Sequence, residues 1–486
     1  MDLFGRRKIY TTTEEITREN VVNELNSLLS LHSLNMMEME YLYWYRRGLQ
    51  PITQRQKTVR PEINNKVTEN HAAEIVAFKN GYFLTQPAFY VSRKKGEEVN
   101  SKVERLNEYL YLSGKQQVDN EITDWFHTVG LGTLYVEPSD DKDAPVRAYT
   151  LDPRSAFVVY SRKPGNKPVM GVNIVVVGQT DSSAEVIFDV FTKDKVFRVS
   201  GGTTGQIITG APIIGTAISV MKEEVNTLGE IPIIEYQYEN SRMGAFETVI
   251  PLLDAINTVQ SNRLDGIEQF IQALIVFYNC QLGEDEKGNQ ITPAYIREAG
   301  AIFLKSIGQD KADVKILSDQ LNQTETQVLV DYMYQQVLTI CGMPSTTKGG
   351  TSTSDTGAAV LYRDGWYQAD TYARNTEDLF KKSNRLFDKV FTKIINMKTD
   401  LNISIADFEL QFVRNETANL LVKTQAAMNL KELGFSPELA FAKSGVSNDP
   451  TGDVERSKDY IKEKWGQQDN TEVVDETRTN LDEELV

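Results

Sequence analysis

The chain has 486 residues, 40% of them hydrophobic and 25% charged, with a formal net charge of -16. That length and mix describe a globular protein of two or more domains and exclude fibrous and membrane classes, because no run reaches the roughly 18 apolar residues a bilayer span needs. The acidic balance argues against a protein that wraps nucleic acid tightly through Lys and Arg, although a negative wall suits a conduit past which a polyanion slides. No apolar stretch follows the basic start Arg6-Arg7-Lys8, so no secretory signal is expected. Cys280 and Cys341 are too few for a disulfide framework and read as small buried hydrophobes in a reducing compartment.

In chain order, apolar spacing predicts a helix from Glu14 to about Gly48, with Val21, Val22, Leu25, Leu28 and Leu29 on one stripe and the aromatic run Tyr41 to Tyr45 at its end. A polar connector between Pro51 and Pro61 leads to a second helical pattern from Glu62 to Phe83, with Gly81 placed to terminate it. A short strand at Ala88 to Val91 precedes two amphipathic helices, one through Val103, Leu106 and Leu110, the other through Val118, Ile122, Trp125 and Val129. From Thr133 to about Gln237 the period changes to 2, with strands at 133–136, 146–149, 156–160, 169–177, 184–191, 195–199 and 231–236. Gly201 to Gln206 lacks the Gly-Lys-Ser/Thr ending of a phosphate loop and reads as a hairpin turn.

Past Pro251 a long helix is expected through Ile256, Val259, Leu264, Ile267, Ile271, Leu274 and Tyr278. A small mixed unit follows between Gln281 and Ser318, with a helix start near Thr292-Pro293 and strands at 301–304 and 314–316; helical spacing then resumes from Val328 to Ile340. The stretch Cys341 to Gly357 is side-chain-poor and rich in Gly, Ser and Thr, and suits a loop that moves or touches something irregular. A very long helix is expected from about Ala358 to Met397, then a strand at 408–413, helices at about 416–433, 437–442 and 454–465, and an acidic tail.

Catalytic and metal motifs are not legible. His32, His71 and His127 are far apart on helical patterns, and no His-Glu-x-x-His, Cys/His cluster, Gly-x-Ser-x-Gly or nucleotide-binding loop occurs. Asp140-Asp141-x-Asp143 lacks the rest of a calcium loop, and Asp119, Glu121 and Asp124 read as solvated surface. No catalytic residue, metal or cofactor is assigned.

Several local phrases, in this order, resemble the portal protein family of tailed bacteriophages, in the large branch typified by phages of Gram-positive hosts. They are Ile63-Asn64-Asn65-Lys66-Val67-x-x-Asn70, Gly81-Tyr82-Phe83-Leu84-x-x-Pro87, Trp125-Phe126-His127-Thr128-Val129-Gly130-x-Gly132, Asp152-Pro153, Gly229 to Ile234, and Glu247-x-Val249-x-x-Leu252-x-Asp254-Ala255-x-Asn257. Gln86 departs from the Gly often found before the proline of the second phrase. The resemblance covers about residues 20–465.

It implies an α+β portal fold with a mostly helical core. Residues 1–240 would form the wing with its β-rich region, 241–280 a first stem helix, 281–318 the clip, 319–342 a second stem helix, 343–356 a tunnel loop, 357–414 a long wing helix and strand, 415–466 the crown and 467–486 an acidic tail. The family's role would be a homo-oligomeric ring of about twelve subunits at the portal vertex of the virion, made in the host bacterial cytoplasm. Its channel would pass double-stranded viral DNA in packaging and ejection. Implied partners are the terminase large subunit, a head completion or adaptor protein, and the major capsid and scaffolding proteins, with no membrane.

On that reading Ser345, Thr346, Thr347, Lys348, Gly349, Gly350, Thr351, Ser352 and Thr353 would face the channel and touch phosphates without reading sequence. Lys305, Lys311 and Lys315 would make the clip basic, or serve as ordinary solvated lysines. Lys381, Lys382 and Arg385 would face the channel or a neighbour's acids. Two rivals stay open: another virion scaffold or neck protein, and a metal-dependent nucleic-acid-processing enzyme.

Overall fold

In the computed structural model the chain begins with strand β1 (Ile9–Thr11), helix α1 (Val21–Arg46), a 3-10 turn at Pro51–Gln54, α2 (His71–Phe83) and β2 (Phe89–Ser92). Helices α3 (Glu97–Leu112) and α4 (Lys115–Val129) lead into strands β3 (Leu131–Pro138), β4 (Val146–Leu151), β5 (Ala156–Ser161), β6 (Pro168–Val177), β7 (Glu185–Thr192), β8 (Lys195–Thr203), β9 (Ser219–Val225) and β10 (Ile233–Gln237). Then come α5 (Ile250–Ile271), β11 (Leu274–Tyr278), β12 (Cys280–Leu282), β13 (Leu304–Ser306), β14 (Asp313–Leu317), α6 (Gln323–Ile340) and α7 (Trp366–Lys398). Strand β15 (Phe408–Gln411) and helices α8 (Leu420–Glu432), α9 (Pro437–Ser444) and α10 (Pro450–Arg456) follow. The structure describes residues 5–94, 96–177, 185–203, 219–271, 274–278, 280–282, 304–306, 313–317, 323–345, 365–412, 420–447, 449–458 and 460. The mixture of helix and sheet is that expected of an α+β chain.

The chain divides into two compact units. Unit 1 holds Met1–Trp44, Ala72–Thr248 and Cys341–Val486; unit 2 holds Tyr45–His71 and Val249–Ile340. In unit 1 the period-2 region forms a six-stranded sheet in the order β1-β5-β6-β7-β8-β9, antiparallel except for β1, which runs parallel to β5. Alternation puts Val186, Phe188 and Val190 of β7 on its buried face. There they join Val159, Val172 and Phe197, and the α1 stripe Val21, Leu25, Leu28 and Leu29 packs onto them. Each such side chain taken from water stabilises the fold by about 1.5–3 kcal/mol. A second core lies among α3, α4, α7 and the three-stranded sheet β10-β3-β4, centred on Phe126, Leu134, Tyr236, Phe380, Phe387 and Phe391. Strands β2 and β15 pair antiparallel beside it.

In unit 2, α5 packs on α6. Two antiparallel ribbons, β11 with β14 and β12 with β13, belong to the same unit.

Several expectations change. The first helix begins at Val21, because the Asn20 side chain accepts from the Thr17 amide and donates to the Glu15 carbonyl, closing a turn where Glu14 to Asn20 was expected to be helical. Residues 62–70 are not helical; α2 starts at His71, contains Gly81 and stops at Phe83. The helix expected to reach Tyr278 stops at Ile271, and the five apolar residues Leu274–Tyr278 form a strand, as β-branched and aromatic side chains favour. Strand β9 has no buried apolar face for alternation to reveal, and residues such as Met221 and Val225 on this edge are exposed. Helix α10 starts at Pro450, where the Asp449 side chain accepts the Gly452 amide as an N-cap, and ends at Arg456. The helix start at Thr292-Pro293 and the acidic tail lie outside the described residues.

Candidate functional site

Helix α6 ends at Ile340, and the next residues are fixed by their surroundings. Cys341, Met343 and Ser345 are buried, and the Cys341 thiol faces the Ala245 carbonyl at 3.6 Å. Gly342 has φ +62°, and a Cβ at this position would overlap the Tyr372 ring of α7. On the return side, Gly365 has φ +87° and caps α7. A Cβ there would lie 3.6 Å from the Pro344 Cα and 3.7 Å from the Met343 carbonyl oxygen. The chain therefore leaves this place at Ser345 and comes back to it at Gly365. Trp366 opens α7 against the Phe78 and Tyr82 rings of α2, with centroids 6.3 and 6.0 Å away.

Helix α7 begins at Trp366, since a left-handed Gly365 cannot sit inside an α-helix, and residues 358–364 of the expected long helix lie outside the described residues. Thr346, Thr347, Lys348, Gly349, Gly350, Thr351, Ser352 and Thr353 lie outside the described residues. Ser345 is only 5% exposed and belongs to the anchored base.

Beneath this base sits Lys79 of α2, itself buried, with its ammonium 5.1 Å from the Tyr372 ring centroid. No carboxylate pairs with it among the described residues. Burial pulls Lys79 down to about 8, while the Cys341 thiol is pushed up to about 12 by its own burial. A lysine held below its unfolded value costs stability at pH below about 8, and the cost disappears as pH rises through 10.5. Lys79→Met is therefore expected to raise stability at pH 7 by about 1–3 kcal/mol, the ring contact offsetting part of the penalty. Thermal unfolding at pH 7 and pH 10.5 checks this, and a gain that persists unchanged at the higher pH refutes the ionisation account.

Unit 2 carries an arrangement that apolar spacing did not reveal. Residues 64–69 run extended and antiparallel along α5 and hand alternate backbone amides to its side chains. The Glu69 amide donates to Asn257 Oδ1 at 2.8 Å, Val67 to Ser261 Oγ at 3.0 Å, and Asn65 to Asp265 Oδ1 at 2.7 Å. Two residues of extended chain rise about 6.6 Å and four of helix about 6 Å, so the two repeats stay in register over this length. Asp265 also receives Lys57 at 3.0 Å and Arg55 at 3.3 Å. Burial would push its carboxyl up, but the Asn65 amide and Lys57 outweigh that and hold it below its ordinary value. The signal was present in the spacing Asn257, Ser261, Asp265, three short polar residues at every fourth position and so on one face of α5.

Of the other candidates, Lys305 stands opposite Gln281 in the β12–β13 ribbon and Lys315 opposite Val276 in the β11–β14 ribbon. Lys311 lies outside the described residues. Lys381 pairs with Glu377 at 2.8 Å, whereas Lys382 lines a cleft. The three histidines lie apart. His32 Nε2 meets the Arg154 carbonyl at 2.9 Å and the ring stacks on Phe157, burial pulling it down to about 4. His127 meets Asn80 at 2.7 Å and His71 meets Glu69 at 3.1 Å. Among the described residues no group of three His, Cys, Asp or Glu is placed to hold a metal ion, and no helix is long and apolar enough to cross a membrane.

Three helices keep a second apolar face outward. Helix α1 exposes Leu31, Leu34, Met37 and Trp44; α5 exposes Leu264 and Ile267; α6 exposes Val328, Leu329, Tyr332 and Ile340. Helices apolar on both sides are characteristic of elements covered on both sides.

In comparison with known proteins, the chain is similar over residues 32–467 to a family described as phage portal protein, SPP1 Gp6-like. No curated protein matches it.

Proposed function

The chain belongs to the phage portal protein family, of the SPP1 Gp6-like kind, and we propose that about a dozen copies close into a ring whose channel passes double-stranded DNA during packaging and ejection. Portal proteins are structural components of the phage capsid that assemble as oligomers in the head, and the family is not one of enzymes. The observation that carries the ring is the apolar second face on α1, α5 and α6. A cyclic assembly needs two different faces per subunit, each covered by its neighbour.

In this reading α5 and α6 are the stem, and the ribbons between them belong to the clip, which would meet the terminase motor and later the head completion protein. The N-terminal helices and the six-stranded sheet are the wing, with α7 spanning it, and α8 to α10 are the crown. Residues 346–353 are the tunnel loop. Ser345 serves as its anchor, and Thr346, Thr347, Lys348, Ser352 and Thr353 offer hydroxyls and one cation per subunit to phosphates. The anchored base at Gly342, Pro344 and Gly365 supports this reading, because a loop that touches moving DNA must be held where it leaves the wall. The -16 charge of each copy keeps the remaining wall from gripping the polyanion.

Electron microscopy of the purified protein is expected to show a perforated ring; a compact monomer overturns the assembly. For the loop, Gly349→Pro with Gly350→Pro is expected to lower the packaged genome length or the packaging rate at least tenfold while rings still form. Normal packaging by intact rings removes the loop from the mechanism.

A further inference from the structure

A cleft of about 680 Å³ opens within unit 1 between β10, the β5–β6 turn and α7. In a chain that is strongly acidic overall, its lining is basic, with Lys8, Lys167, Lys193, Lys382 and Lys389 all reaching it. None of these five forms an ion pair among the described residues. Lys8 rests its ammonium 4.0 Å from the Tyr160 ring centroid. Burial first, then the neighbouring Arg242 and Lys382, hold it below its ordinary value. Two carboxylates are present, but Glu235 is already committed. Arg242 reaches its two oxygens at 2.6 and 3.0 Å, and the Tyr160 hydroxyl donates at 2.9 Å. Glu230 is left against five cations.

The floor is apolar. Ile231 and Ile233 face it from the β10 side, and Leu386 and Val390 from α7, where Lys382 and Lys389 stand two turns apart on the same helical face. A basic rim over an apolar floor fits an acidic peptide with interspersed aliphatic residues. The phosphate backbone of a duplex supplies the charge but nothing for the floor.

We propose that this cleft holds the acidic segment 467–486 of the chain itself. Outside the described residues, that segment carries Asp469, Glu472, Asp475, Glu476, Asp482, Glu483 and Glu484 against a single cation, Arg478. Its acids alternate with the pair Val473-Val474, with Leu481 and with Leu485-Val486, the aliphatic complement the floor requires. From Tyr460 to Asp482 the chain can extend up to roughly 70 Å. The contact would be strongest at low salt, as expected of charges at an open rim. This inference rests on the cleft and the segment alone and does not depend on ring or channel.

The test is zero-length carbodiimide cross-linking of the full-length protein, read by peptide mass mapping. The expected result is amide links from Asp482, Glu483 or Glu484 to Lys382, Lys389 or Lys167, reduced at least tenfold in 1 M salt. Lys382→Glu with Lys389→Glu should remove the links to Lys8, Lys167 and Lys193 as well. Adding Glu483→Lys with Glu484→Lys should restore linkage with the polarity reversed, now between the carboxylates introduced on α7 by the first pair of changes and the amines introduced in the tail by the second. Both changed lysines are exposed, and an unaltered melting curve checks the fold. The proposal is overturned if the wild-type segment links elsewhere or not at all, or if its links survive the reversal. It is equally overturned if a duplex oligonucleotide binds through these lysines and the segment does not.

Discussion

Replacing Asp265 with Ala is expected to destabilise unit 2 by about 2–3 kcal/mol, less than for a fully buried pair because Lys57 and Arg55 keep part of their contact with water. The carboxylate is 4% exposed and is the shared acceptor for four donors: the Asn65 backbone amide at 2.7 Å, the Asn65 side-chain amide at 3.0 Å, Lys57 at 3.0 Å and Arg55 at 3.3 Å. Removing it leaves two cations without their anion and a part-buried amide without its acceptor, each a penalty in its own right. Asp265→Asn keeps an acceptor for the Asn65 amide and loses the charge, so it should cost roughly half as much. Guanidinium unfolding of the three proteins measures the series, and equal stabilities would remove the network from the account of unit 2. The pH sign follows from the depressed carboxyl. Its contribution is complete above the ordinary aspartate value and is lost as pH falls through the lower folded value. The wild-type protein should therefore lose more stability on acidification than Asp265→Ala does.

The same residues show how much of the molecule was legible in its sequence. Helix α3 and strands β7 and β8 were readable because the apolar period survives along each, and β5 because its continuous apolar run, buried on both faces, is itself a strand signal. Helix α1 was readable too, although its outward Leu31, Leu34 and Met37 blur the stripe. Residues 62–70 were not, since Ile63 and Val67 fit a helical period while the backbone is drawn straight by side chains about 190–200 positions away. Such a long-range override leaves no local trace except the polar residues at every fourth position of the partner helix. The ending of α5 at Ile271 was hidden by the opposite effect, because Leu274 and Tyr278 continue the helical stripe while the intervening residues favour a strand. For the candidate site, glycine and hydroxyl content located the loop, but its anchoring was not visible. That depends on Tyr372 filling the space beside Gly342 and on Gly365 meeting Pro344, contacts made across the loop. The buried Lys79 reads in sequence as an ordinary lysine in an amphipathic helix.

Asp388→Asn is expected to flatten the pH dependence of unit 1 and to stabilise it above neutrality. Asp388 lies on α7 in the second core, where Tyr90 donates to its Oδ1 at 2.5 Å and Asn384 donates at 2.9 Å. The nearby Lys115 ammonium is paired with Asp119 and lies 4.6 Å from the Phe387 ring centroid, so one buried cation faces two buried carboxyls. Burial pushes Asp388 up to about 7, with the Tyr90 hydrogen bond and Lys115 drawing it partly back and Asp119 opposing them. A raised carboxyl favours the fold while protonated. Its stabilisation is therefore complete below the ordinary aspartate value near 3.8 and is lost as pH rises through about 7. At roughly 1.4 kcal/mol per unit, the loss between pH 5 and pH 8 comes to about 3 kcal/mol for this group. Asparagine keeps the acceptor for Tyr90 and Asn384 and cannot ionise, so the variant should gain about that much relative to wild type between the two pH values. Paired unfolding curves at pH 5 and pH 8 decide it: an unchanged wild-type slope in Asp388→Asn would show that the cluster stays charged through a different carboxyl. Asp388 shares α7 with Tyr372 at the loop base and with Lys382 and Lys389 in the basic cleft, so its ionisation bears on the stability of the helix that carries all three.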